Sequence, residues 1–227
     1  NPPAGTNVAA GDPSQNIAPA GGPLDLFVPI SQFDRMQYVT DTLPGFAPEA
    51  GKATVLAMIA RAGLNNRTEP KIDALWSNGG AAWPDANGPI GKAAQFGDGN
   101  GASRQPAGDN GFAFVNGTTD MAAMLKSGPV MLGGAKADGT ATPWLLALQM
   151  TADGKGIIAN DPATGRQVVL AYDAATKTVG AVAGMVDPAT RQIAPLADTA
   201  PAGIAAPPAA WNALKAFKVV SYFAVTL

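Results

Sequence analysis

Apolar positions along the chain fall into runs whose spacing changes, and each change marks an element. Between Pro143 and Pro162 two short, nearly continuous apolar runs, Trp144-Leu145-Leu146-Ala147-Leu148 and Ile157-Ile158-Ala159, flank Asp153-Gly154. Runs this short are wrong for an amphipathic helix and right for core strands, and Asp-Gly supplies a turn with positive φ. The segment therefore predicts a buried hairpin with Asp161 at the mouth of its second strand.

Elsewhere the period lengthens. Val55, Met58, Ile59 and Ala62 recur at helical spacing behind Pro48 and Glu49 and before Gly63, which predicts a core helix over 48–63. A second, shorter helix is expected over 118–127, with a threonine hydroxyl as cap, an early Asp120, apolar Met121, Met124 and Leu125, and a Gly128-Pro129 stop. Val130 to Gly134 follows as a strand. Leu24, Leu26 and Val28 alternate before Pro29, which reads as an edge strand.

Beyond the hairpin, Asp161-Pro162-Ala163-Thr164 recurs as Asp173-Ala174-Ala175-Thr176 and as Asp187-Pro188-Ala189-Thr190. Each predicts a turn between short strands, with Asp opening the turn, so the C-terminal part reads as a β-meander. A last helix is expected over 208–215, and a final strand over 219–225 that pairs in the main sheet. Residues 1–22 hold almost nothing to bury and read as a disordered tail. Residues 64–117 read as a loop-rich excursion with a short helix over 69–77, pinned by Trp76 and Trp83. One domain, 23–227, is expected.

Composition narrows the chemistry. Fifteen basic against seventeen acidic residues leave a formal charge of −2, which provides no footprint for binding DNA or RNA. The chain has no Cys and no His, which excludes disulfides, thiol nucleophiles and the usual zinc sites. No cofactor and no metal are expected. Ala50-Gly51-Lys52-Ala53-Thr54 echoes a phosphate-binding loop but fails it, because Phe46 stands where the first Gly belongs and Ala53 where the hydroxyl belongs. Gly97 to Gly101 and Gly108 to Gly111 lack the terminal Glu of a calcium loop and read as plain turns. No apolar run is long enough for a transmembrane helix. The start at Asn1 suits a processed export product, so a periplasmic or secreted location is expected.

Four motifs occur in a meaningful order: Val28-Pro29-Ile30-Ser31-Gln32, the helix carrying Leu56-Ala57-Met58, Gly128-Pro129-Val130 before a strand, and the hairpin closing on Asn160-Asp161-Pro162. This order resembles the papain-like cysteine peptidases of the bacterial double-glycine leader peptidase type. The resemblance implies an α+β fold with a central helix packed on an antiparallel sheet. It aligns Gln32 with the glutamine that stabilises the oxyanion, Gly51 with the nucleophilic cysteine at a helix N-terminus, Pro143 with the histidine, and Asp161 with the acid that orients it. Losing nucleophile and base together removes covalent catalysis. The expectation is an inactive pseudopeptidase that binds a protein or peptide in a cleft of Gln32, Gly51, Lys52, Trp144 and Asp161. An exported enzyme of unrelated mechanism and a secreted structural protein are the alternatives.

Overall fold

The computed structural model describes residues 22–33, 51–63, 113–114, 120–134, 143–204 and 206–224. All but Gly22 of the expected tail, nearly all of the 64–117 excursion, with its expected helix over 69–77, and the first residues of the 48–63 helix lie outside the described residues.

The architecture is dominated by one antiparallel sheet with few helices. In chain order the elements are α1 (Pro23–Leu26), α2 (Gly51–Gly63), β1 (Ala113–Phe114), α3 (Met121–Met124), β2 (Val130–Gly134), β3 (Trp144–Met150), β4 (Gly156–Asp161), β5 (Arg166–Asp173), β6 (Thr178–Val186), β7 (Ile193–Pro195), α4 (Pro208–Lys215) and β8 (Val219–Ala224). The strands run in the order β1-β8-β2-β3-β4-β5-β6-β7. Every neighbouring pair is antiparallel. The expected meander is therefore present as β3 to β7, and the last strand returns to pair beside β2.

The hairpin forms as its pattern demands. Gly154 takes φ 69°, the left-handed conformation that glycine adopts without steric cost. Thr151 Oγ1 donates to Asp153 and accepts from Gly156 N at 2.8 Å, tying the turn at its base. β3 and β4 are buried on both sides, which explains why they lack a polar alternation.

Alternation still sorts the side chains between two faces. Val130, Leu132, Leu145, Ala147, Ile157, Ala159, Val168 and Leu170 form one core with Met121 of α3, Trp211 and Leu214 of α4, and Phe217. Leu146, Leu148 and Asn160 turn to the opposite face, where α1 and α2 contact β3. The sheet is thus covered on both sides, and the second face carries the site.

The three Asp-x-Ala-Thr turns share one mechanism. Asp161, Asp173 and Asp187 each accept hydrogen bonds from the backbone N–H groups two and three residues on. The fifth residue is left-handed in all three: Gly165 at φ 64°, Lys177 at 54° and Arg191 at 58°. Each fifth residue also meets another part of the chain. Lys177 pairs with Asp120 at 2.6 Å and Arg191 with Asp25 at 2.9 Å. Gly165 lies so close to the Gln32-bearing segment that a Cβ there would fall 2.8 Å from Ser31 Cβ.

Two local expectations need correction. Residues 23–26 form a helical turn, not an edge strand, because Pro23 occupies the first helical turn behind Gly22. The buried residues there are Leu24, Phe27 and Ile30, a spacing of three that overrides the apparent alternation of Leu24, Leu26 and Val28. The cap of α3 is Asp120, whose Oδ1 accepts from Ala123 N at 3.1 Å, and not a threonine hydroxyl.

Candidate functional site

The site lies where the N-terminus of α2 meets the first residue of β3. Gly51 opens α2 and is buried. A Cβ built on it would lie 3.2 Å from Gln32 Oε1 and 3.6 Å from Trp144 Cδ1. Gln32 and Trp144 are themselves only 5% and 6% exposed. Three segments far apart in sequence therefore converge, and the missing side chain of Gly51 is what allows the Gln32 carboxamide and the indole to approach so closely.

Lys52 completes the group. A cation in the first turn of a helix opposes the helix dipole. Here the ammonium lies 5.8 Å from the centroid of the Trp144 ring, within range of a cation–π attraction that offsets this penalty. The indole thus fills the recess in front of Gly51, with Lys52 over it.

Gln32 is held from the other side by a turn. Its backbone N–H donates to the carbonyl of Pro162 at 2.8 Å. Asp161, one residue earlier, is 2% exposed and accepts from Ala163 N at 3.0 Å, Thr164 N at 3.0 Å and Thr164 Oγ1 at 2.7 Å. Burial pushes its carboxyl up to about 6, against the lowering effect of those bonds. These bonds commit the carboxylate to its own turn, as they do in Asp173 and Asp187. Asp161 therefore shapes the turn whose Pro162 carbonyl holds the Gln32 segment, and its hydrogen bonds lie in that turn rather than at Gly51.

Pro143 also stands apart from the recess. A Cβ on Gly134 would fall 2.6 Å from Pro143 Cγ and 2.8 Å from Phe217 Cε2, so Pro143 packs toward β2 and the α4 side. The strand residue beside Gly51 is Trp144, one position later. A shift of one residue reverses the face in a strand, which is why the two neighbours part company.

Asn160 is a site residue that sequence reasoning missed. It is fully buried opposite Leu146, on the Trp144 side of the hairpin. Its Nδ2 donates to the carbonyl of Phe27 at 2.7 Å, fastening the N-terminal segment to β4, while Oδ1 has no hydrogen-bond partner among the described residues. The available signal was a lone amide inside an apolar strand, since a buried polar group is costly unless it holds something.

Chemically the group offers a carboxamide, an indole, an ammonium and a helix N-terminus. Thiol and imidazole are absent from the whole sequence. Among the described residues no cluster of three or more His, Cys, Asp or Glu is arranged to hold a metal ion. No helix among them is long and apolar enough to cross a membrane. Comparison with protein-family models, curated proteins and solved structures gives no match.

Proposed function

We propose that this chain is a noncatalytic relative of the papain-like cysteine peptidases, a pseudopeptidase that acts as a protein- or peptide-binding module. One observation carries the reading: a Cβ at Gly51, at a helix N-terminus, would touch both the Gln32 carboxamide, at 3.2 Å, and Trp144, the first residue of the facing strand, at 3.6 Å. These are the relative positions that the oxyanion glutamine, the nucleophile and the base hold in the peptidases the sequence resembles. Gly51 and Trp144 stand at the two positions where attack and proton transfer need a thiol and an imidazole.

In this reading Trp144 does the work of a plug. Its ring covers Gly51 in the free protein, and a bound polypeptide displaces it to reach the Gln32 carboxamide. Indole is suited to the exchange, because it offers a large apolar surface and one donor to an incoming main chain.

Selection from a library of displayed extended peptides tests the binding role. Peptides that bind the wild-type chain are expected to lose about tenfold or more in affinity, roughly 1.4 kcal/mol, against Gly51→Met, which fills the recess. Affinities unchanged by that substitution would place binding elsewhere and contradict a role for the cleft.

A further inference from the structure

The segment 22–33 runs across the hairpin as a strap and is fastened at successive points. Arg191 pairs with Asp25 at 2.9 Å, Gln167 Nε2 donates to Leu24 O at 3.3 Å, and Asn160 Nδ2 donates to Phe27 O at 2.7 Å. Leu24, Phe27 and Ile30 are buried along this stretch. The end of the strap, which carries Gln32, meets the 161–165 turn instead.

That turn departs from its two copies where it meets the strap. Its fifth residue is Gly165 rather than Lys177 or Arg191, because a Cβ there would fall 2.8 Å from Ser31 Cβ and 3.2 Å from Ser31 N. Its carboxyl is also the one out of water: Asp173 and Asp187 are exposed, whereas Asp161 is buried. Among the described residues no cation is ion-paired with Asp161. Arg166 stands opposite it in the β4–β5 register, and its charge acts on Asp187. Lys52 of α2 lies over Trp144, and Asp25 of the strap is paired with Arg191. Burial without a counter-charge pushes the Asp161 carboxyl up to about 6.

An ionised carboxylate in this position gains most by reaching water. β4 and β5 cannot yield easily, since residues 156–161 are paired with 166–171 throughout. The strap end can, because it meets the turn through the Gln32 N–H bond to Pro162 O, at 2.8 Å, and the Ser31–Gly165 contact. We propose that the 161–165 turn is a pH-sensitive clamp: it holds Ser31 and Gln32 while Asp161 is protonated and releases them when Asp161 ionises, drawing the Gln32 carboxamide away from Gly51. Under the binding role proposed above, the recess would then hold a peptide best in mildly acidic solution. The clamp itself does not rest on that reading.

Amide hydrogen exchange on the full chain, with no peptide present, tests it. A carboxyl whose pKa is about 6 when covered and 3.8 when released makes opening about tenfold more favourable at pH 7 than at pH 5. We expect the protection of Gln32 N–H, corrected for the intrinsic pH dependence of exchange, to fall about tenfold over that range. Phe27 N–H, bonded to Pro23 O at 3.0 Å at the end of α1, should hold within about threefold. In Asp161→Asn, protection of Gln32 should be the same at both pH values. Thr164→Ala removes a hydrogen bond donated to the carboxylate at 2.7 Å, so it should carry the loss of protection on to higher pH, and it serves where Asn disturbs the turn. Unchanged protection at Gln32, an equal fall at Phe27, the same fall in Asp161→Asn, or an unmoved profile in Thr164→Ala would overturn the proposal.

Discussion

Trp211→Ala should lower the free energy of unfolding by about 3 to 5 kcal/mol, the range for deleting a large buried aromatic. Trp211 is 2% exposed and sits in α4 at the centre of the core that joins α3, α4 and the inner strands. Leu145, Leu132 and Val130 of the same core belong to strands paired on both sides, which limits how far the core can close the space left behind. The indole Nε1 is buried without a partner among the described residues, which adds a second expectation. Trp211→Phe removes that unpaired donor along with part of the ring. An unsatisfied buried donor costs about 1 to 3 kcal/mol, so Phe should recover most of the stability that Ala loses. Urea unfolding of the three proteins decides it, and equal losses in Ala and Phe would mean that the Nε1 group is satisfied in solution.

The second large effect is in the pH dependence. Asp161 has its carboxyl raised from 3.8 to about 6 by burial. The folded protein then holds a proton that the unfolded chain has released between these values, so stability is full below about pH 4 and falls as pH rises towards 6. A shift of about two units corresponds to about 3 kcal/mol. Asp120, Asp173 and Asp187 are held below the usual carboxylate range by their hydrogen bonds and act in the opposite sense at lower pH. Comparison with Asp161→Asn cancels their contribution. Measured from pH 3 to 7, the stability of the wild type should decline by about 3 kcal/mol relative to Asp161→Asn. Parallel profiles would mean that Asp161 titrates near its ordinary value.

Much of the sheet was legible because strand patterns report burial directly. β3 and β4 announced themselves as apolar runs around Asp153-Gly154, and the Asp-x-Ala-Thr repeats located the meander turns. The short helix α1 was not legible from alternation, since Leu24, Phe27 and Ile30 are buried at a spacing of three.

The segments that line the recess stand out in the sequence; the face each one presents does not. The Gln32 carboxamide lies beside Gly51. Whether Pro143 or Trp144 meets them depends on which side of β3 faces α2, and two-sided burial erases that information from the sequence. Asp161 had a signal that argued for a turn, because its Asp-x-Ala-Thr context recurs at two exposed turns with the same hydrogen bonds. Asn160, its neighbour, carried the opposite signal: an amide with no turn to cap, buried within a strand.

Reinstalling the missing pair tests the central claim most directly. The chain has no cysteine, so Gly51→Cys introduces a single thiol whose alkylation by iodoacetamide can be followed against pH without interference. Three proteins are compared, with circular dichroism establishing that each is folded: Gly51→Cys, Gly51→Cys with Trp144→His, and Gly51→Cys with Pro143→His. If the recess is a disarmed peptidase site, the Trp144→His pair titrates clearly below the single variant and well below the free-thiol value of about 8.5, while the Pro143→His pair follows the single variant. A Trp144→His pair that titrates with the single variant would contradict the account.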